Sequence, residues 1–182
     1  MFDEKQKREL LSYARNVIRK KLTGESYLTP EDEAFSEHRG IFVTLQKRGN
    51  LRGCIGYIRP YKNILDSIHD MALAAAFEDP RFASLGKHEL DDISIEISIL
   101  SLMKELVDTD DIEIGRDGLY LQHPYGSGLL LPQVAPDWGW NKEEFLRQIC
   151  HKAGLPAGSH LEPNAKLFSF TAEIFSEEDF SN

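Results

Sequence analysis

Seven residues limit the fold of this chain more than any others. In Ile93-Ser94-Ile95-Glu96-Ile97-Ser98-Ile99 apolar and polar side chains alternate without a fault, so a strand here has one face of isoleucine and one of Ser, Glu and Ser. Such a strand must be half-buried, with its isoleucine face against something apolar. The stretches 41–45 and 51–58 read as two more strands around Lys47-Arg48-Gly49-Asn50, a hairpin. Helices supply the cover. Leu10, Leu11, Ala14, Val17, Ile18 and Leu22 recur at spacings of three and four, with Asp3 and Gln6 as a capping pair and Gly24 as a stop. Ile64, Leu65, Ile68, Met71, Ala72, Ala75 and Ala76 form a second helical stripe, and Asn141 with Glu144 caps a third helix through Phe145, Leu146, Ile149 and Cys150.

Further along, residues 112–114 and 119–122 flank Gly115-Arg116-Asp117-Gly118 as a second hairpin, Gly128-Leu129-Leu130-Leu131-Pro132 reads as a short strand, and 167–175 as the last. Strands joined by turns, with only three clear helices, argue against regular strand-helix alternation. The expected class is α+β, mainly antiparallel sheet with flanking helices, as one domain over residues 1–182. The acidic tail, 176–182, is expected to fray.

Composition narrows the partners. Among 182 residues, 30 acidic and 21 basic side chains leave a net charge of -9, which repels a polyanion, so nucleic acid is not expected. The basic residues of the first helix are interrupted by Asp3, Glu4 and Glu9 and read as a solvated face. No apolar run approaches the roughly 20 residues of a membrane span, and no signal-peptide pattern opens the chain. A cytoplasmic location follows, with Cys54 and Cys150 as free thiols.

Candidate chemistry centres on Cys54. Arg52 lies two residues earlier, and strict strand alternation would put its guanidinium beside the sulfur, where it would stabilise a thiolate. Gly53 and Gly56 mark a bulge or a close approach of ligand to backbone. The competing reading makes Cys54 a small core residue and the glycines packing devices. Asp79 and Arg81, at the corner Phe77-Glu78-Asp79-Pro80-Arg81-Phe82, either orient a polar ligand or form an Asx-turn with a local ion pair. Glu96 either meets solvent or orients something bound. Gln133, close to Trp138 and Trp140, is placed to hydrogen-bond a planar molecule on which the indoles stack, against the alternative that the indoles fill the core. The six histidines form no metal motif, and neither Cys150 nor the adjacent His151 makes a nucleophile-base pair by sequence.

Four blocks together carry a resemblance: Leu51-Arg52-Gly53-Cys54-Ile55-Gly56, Asp79-Pro80-Arg81-Phe82, Glu96-Ile97-Ser98-Ile99-Leu100, and Gly128-Leu129-Leu130-Leu131-Pro132-Gln133-Val134-Ala135. In order from about Lys7 to Phe175 they resemble the AMMECR family, also called AmmeMemoRadiSam system protein A. The resemblance implies two unequal subdomains with a cleft between them, lined partly by the LRGCIG strand. Arg52, Gly53, Cys54 and Gly56 match that hexapeptide, and Asp79 and Arg81 match the DPRF block. It also implies association with a Memo-like protein, similar to extradiol dioxygenases, and with a radical S-adenosylmethionine protein. One departure stands out: where the family often has a tryptophan, this chain reads Ala157-Gly158-Ser159-His160.

The resulting expectation is an enzyme or enzyme subunit acting on a small polar or aromatic molecule. Cys54 would be nucleophile, Arg52 its electrostatic partner or an anion anchor, and Glu96 or Asp79 the proton carrier. Gly53, Gly56, Asp79, Arg81 and Gln133 would line the ligand. The rival is a non-catalytic adaptor that docks on the two partner proteins.

Overall fold

The computed structural model describes residues 1–180. The chain forms two compact units, the larger made of Met1–Leu100 with the C-terminal stretch from Glu173, the smaller of Ser101–Ala172. The α+β class expected from the sequence is what both contain.

In the larger unit, α1 (Glu4–Thr23) starts at a capping box. The Asp3 carboxylate accepts the Gln6 N–H (2.8 Å) and the Gln6 side chain accepts the Asp3 N–H (3.0 Å), which satisfies two amides that the first turn leaves orphaned. Gly24 ends it at φ +80, a left-handed turn without the steric penalty a side chain would bring. Strands β1 (Ile41–Lys47) and β2 (Asn50–Tyr57) form the expected hairpin. Its two turn residues, Arg48 (φ +52) and Gly49 (φ +75), are both left-handed, as a turn that follows the strand twist demands. Next come α2 (Ile64–Phe77) and β3 (Ile93–Leu100).

Strand β1 pairs with β3 in the register Ile41↔Ile99, Val43↔Ile97, Leu45↔Ile95. This puts the isoleucine face and Ile41, Val43 and Leu45 of β1 on one side of the sheet, all buried, with α2 against β1 and β2 and α1 against β3. Each such side chain contributes about 1.5–3 kcal/mol by leaving water. The opposite side carries Phe42, Thr44 and Gln46 opposite Ser98, Glu96 and Ser94.

The single last strand expected over 167–175 is two strands. β7 (Lys166–Phe170) belongs to the smaller unit's sheet, and β8 (Ala172–Ser176) closes the larger unit's sheet in the order β2-β1-β3-β8. Between them Thr171 turns its backbone to Ser101, accepting the Ser101 N–H (2.8 Å) and donating to the Ser101 hydroxyl (2.9 Å).

The tail does not fray as far as it is described. Glu177–Phe180 forms a short 3-10 helix, and residues 181 and 182 lie outside the described residues. The Glu177 carboxylate accepts both Arg15 Nε and Nη2 (2.5 Å each) and the Ile95 N–H (2.9 Å). Arg15 also donates to the carbonyls of Leu90 and Ile93, and the Phe180 ring lies 4.4 Å from the Arg8 guanidinium. Acidic composition misled because the acids have a half-buried cation to meet. We expect Glu177→Ala to cost about 1–2 kcal/mol in urea unfolding, since it strips Arg15 of its counter-charge and Ile95 of an acceptor.

The smaller unit pairs β4 (Lys104–Glu105), β7, β5 (Gly118–His123) and β6 (Gly126–Leu130) in that order, all antiparallel. The second hairpin is therefore one step later than expected. Residues 112–114 form no strand, and Pro124-Tyr125 turns β5 into β6. Gly115 misled the assignment because its left-handed φ of +88 serves an isolated turn, in which Asp117 and Arg116 donate their amides to the Glu113 carbonyl. After α3 (Val134–Asp137), helix α4 (Lys142–Lys152) begins with Asn141 accepting the Glu144 N–H (2.9 Å). A Cβ on Gly126 would lie 2.1 Å from the Ala153 carbonyl oxygen, so the small residues of β6 let the end of α4 press on the sheet. Among the described residues no helix is long and apolar enough to cross a membrane.

Candidate functional site

The hairpin register decides where the motif's side chains go. Leu45 pairs with Gly53 but Gln46 pairs with Leu51, so a bulge leaves Arg52 as the extra residue. A bulge interrupts the period of two. Arg52 accordingly does not partner the Cys54 sulfur as expected. Its guanidinium binds Glu89 through Nε (3.2 Å) and Nη2 (2.9 Å), and Lys47 joins the same carboxylate at 2.9 Å. Arg52, the Gly86 amide and Lys47 together hold the Glu89 carboxyl far below the usual carboxylate range. Glu89 had no signal in the sequence, because its partners come from a different part of the chain.

Gly53 and Gly56 are packing glycines. A Cβ on Gly53 would stand 2.1 Å from the Ala75 carbonyl oxygen of α2, and one on Gly56 would enter the Phe42 ring at 2.3 Å. Neither leaves its backbone open to a ligand at the position of the missing Cβ, so for these two the packing alternative describes the structure.

Asp79 and Arg81 also turn inward, onto main chain. Strand β2 is an edge strand, and at Cys54 its outward amide donates to Asp79 Oδ2 (2.9 Å) while its carbonyl accepts Arg81 Nη2 (3.1 Å). The two side chains grip each other through Arg81 Nε (2.9 Å) and Nη2 (2.7 Å), and Asp79 accepts the Arg81 amide as in an Asx-turn. The fork thus does for Cys54 what a neighbouring strand would do. It covers an edge that would otherwise offer unpaired groups to another chain. Arg81, burial working against it, and the Cys54 amide hold the Asp79 carboxyl well below the ordinary range.

Because the outward groups of Cys54 are taken by the fork, Cys54 and Thr44 form a non-hydrogen-bonded cross-strand pair, the kind whose side chains approach closest. The Thr44 hydroxyl donates to Cys54 Sγ at 3.2 Å. On its other side Thr44 pairs with Glu96. Cys54, Thr44 and Glu96 therefore form one row across three strands on the sheet face opposite the helices, the backbones of Cys54 and Glu96 being two strand spacings, about 10 Å, apart. Thr44 is the residue sequence reasoning missed; its place in β1 alternation with Phe42 and Gln46 was the available signal.

The electrostatics of the row differ from the expected activated thiolate. Burial pushes the Cys54 thiol up, outweighing the Thr44 hydroxyl and the nearby Arg81. Burial, Asp179 and Glu178 push the Glu96 carboxyl up in the same way. Among the described residues its carboxyl makes no hydrogen bond or ion pair, although it is half-buried. The row at rest holds a neutral thiol, a hydroxyl and an easily protonated carboxyl. Iodoacetamide should modify Cys54 slowly at neutral pH, with the rate rising only above the ordinary thiol range; fast labelling at pH 7 would contradict the burial argument.

Gln133 lies in the smaller unit, just before α3, with a buried Oε1 that has no partner among the described residues. The two indoles stack at 6.1 Å and 19°, but only Trp140 packs on the core, while Trp138 is exposed. His160, in the stretch where the resemblance implies a tryptophan, has its Nδ1 3.4 Å from the fully buried Cys150 Sγ. Burial lowers the His160 pKa, so this imidazole is a neutral neighbour of the thiol. Among the described residues no group of three or more His, Cys, Asp or Glu is gathered where it could hold a metal ion.

The whole arrangement spans the stretch that matches the AMMECR1 family model, residues 11–175. The chain belongs to the AMMECR1 family. A protein of Methanothermobacter thermautotrophicus is 44% identical over 180 residues, covering 94% of each chain, and protein MJ0810 of Methanocaldococcus jannaschii is 40% identical over 175 residues, covering 91% of this chain and 87% of its own. The crystal structure of the uncharacterized protein PH0010 from Pyrococcus horikoshii matches with a TM-score of 0.82 at 37% identity, over 92% of this chain and 89% of that one. AMMECR1 relatives therefore share this architecture.

Proposed function

We propose that this AMMECR1 protein is a cytoplasmic enzyme, or the subunit of one, that acts on a small molecule at the Cys54–Thr44–Glu96 row. The observation that carries the reading is Glu96: a half-buried carboxyl raised by burial and by two acidic neighbours, with no hydrogen bond or ion pair among the described residues. A carboxyl so placed stays protonated closer to neutrality than an ordinary glutamate and serves as general acid, or as base once ionised. Thr44, between the two, donates to the sulfur and steadies it. Cys54 enters as a neutral thiol, so any nucleophilic step must deprotonate it during the reaction and not before. Arg52 and Asp79 are given no part in this chemistry: Asp79 is held by the Cys54 amide and Arg81, and Arg52 binds Glu89 through Nε and Nη2, its buried Nη1 having no hydrogen bond among the described residues. A pathway shared with Memo-like and radical S-adenosylmethionine proteins belongs to the same proposal.

The test is a mixture reconstituted from the three proteins, assayed for turnover with Glu96→Gln and Cys54→Ser in place of the parent. Both variants should fold and lose at least tenfold in rate. Full retention of rate in Glu96→Gln would reject the proton-transfer role.

One observation favours the adaptor reading: Arg52, Gly53, Gly56, Asp79 and Arg81 all act inside the protein, so much of the motif is architecture. A stable complex on size-exclusion chromatography, unaffected by either variant and without turnover, would select it.

A further inference from the structure

The smaller unit holds a cavity of about 580 Å³, within the range of small-molecule sites, that has no part in the row described above. Its floor is tied down. Thr171 accepts the Ser101 N–H and donates its own N–H to the Ser101 hydroxyl, and Lys104 faces Ser169 as its cross-strand partner.

Four charges line this cavity, and two of them cancel. Arg116 binds the buried Asp117 through Nε (3.0 Å) and Nη2 (2.7 Å), and its Nη1 meets Glu113 outside the cavity. That leaves Lys104 and Asp111. Neither makes an ion pair with the other or with any other described residue, although Lys104 helps from a distance to hold the Asp117 carboxyl down, so the cavity presents one cation and one anion outside any close pair. Apolar lining comes from Leu102, which is 67% exposed, and from Leu106, with the nearly buried Phe170 beside them. An exposed leucine in a cavity that also carries a cation and an anion outside any close pair suits a ligand with the complementary features.

We propose that this cavity binds a free α-amino acid with an apolar side chain, its carboxylate on Lys104, its ammonium on Asp111 and its side chain against Leu102. Each contact is charge-assisted, and removing either should weaken binding about tenfold or more. The site is separate from Cys54, Thr44 and Glu96, so this proposal and the preceding one fail independently.

The test is isothermal titration of the full chain with L-leucine, leucine amide and 4-methylpentanoate. L-Leucine should bind saturably at one site. The amide, which lacks the carboxylate, and 4-methylpentanoate, which lacks the ammonium, should each bind at least tenfold more weakly. Lys104→Ala and Asp111→Asn, both at exposed positions, should keep the parent's melting curve and lose L-leucine affinity to the same degree. Absence of saturable L-leucine binding, equal binding of either analogue, or unchanged affinity in either variant overturns the assignment.

Discussion

Gly53→Ala should cost the larger unit about 3 kcal/mol or more of unfolding free energy. The added carbon would lie 2.1 Å from the Ala75 carbonyl oxygen and 3.1 Å from its carbonyl carbon, in the last turn of α2. These are backbone atoms, so no rotamer change relieves the overlap. Either α2 retreats as a body from the sheet or β2 shifts away from it. Both answers loosen Ile64, Ile68, Ala72 and Ala75 from Val43 and Leu45, residues that are now fully or almost fully sealed from water. Overpacking of this kind ordinarily costs 1–3 kcal/mol, and rigid neighbours place this case at the upper end or beyond. Gly49→Ala is the comparison: its added carbon meets nothing within 4 Å, so only the left-handed φ of +75 is penalised, at about 1 kcal/mol. Urea unfolding followed by circular dichroism reads both. A Gly53→Ala loss no larger than that of Gly49→Ala would mean that α2 is free to move and that the glycine serves another purpose.

The same site explains which parts of the molecule could be read from sequence. Alternation in Ile93–Ile99 survives in the structure because both β1 and β3 bury one face under helices, and a one-residue slip would drive Glu96 into the core. Capping of α1 and α4 was legible because a cap is a contact between residues three apart. What failed depended on distant contacts. Arg52 and Cys54 are two residues apart and were expected on one face, but the bulge is set by how Leu45 and Gln46 pair across the hairpin, which spacing within β2 does not encode. Likewise Asp79 and Cys54 are 25 residues apart, and nothing local to either predicts that one caps the other's amide. The acidic tail resembled a solvated end until Arg15, 162 residues away, supplied the cation. Sequence therefore offers residue types, which are local, but not their partners, which the fold brings in from a distance.

The partnership at Asp79 yields the second large effect. Asp79→Asn should lower stability by about 2–3 kcal/mol at pH 7. The side chain is 2% exposed and accepts from the Cys54 amide, the Arg81 amide and the Arg81 guanidinium, so losing its charge weakens several charge-assisted bonds at once in a poorly hydrated place. Arg81 is 54% exposed, so water screens the ion pair itself, and most of the loss comes from the bonds to main chain. The pH dependence separates this account from a simple packing defect. Folding depresses the Asp79 carboxyl below its unfolded value of about 3.9, so its contribution is complete above that value and declines as the pH falls toward the folded pKa. The wild-type advantage over Asp79→Asn should therefore be constant from pH 7 to about pH 5 and shrink steadily below pH 4. Glu89, depressed in the same direction, is present in both proteins and drops out of the difference. A gap that stays constant down to pH 2 would assign the loss to shape and not to charge. The variant should also label faster at Cys54, because Asp79 now both pins the strand beneath the thiol and repels its negative charge, and removing either influence exposes or ionises the sulfur.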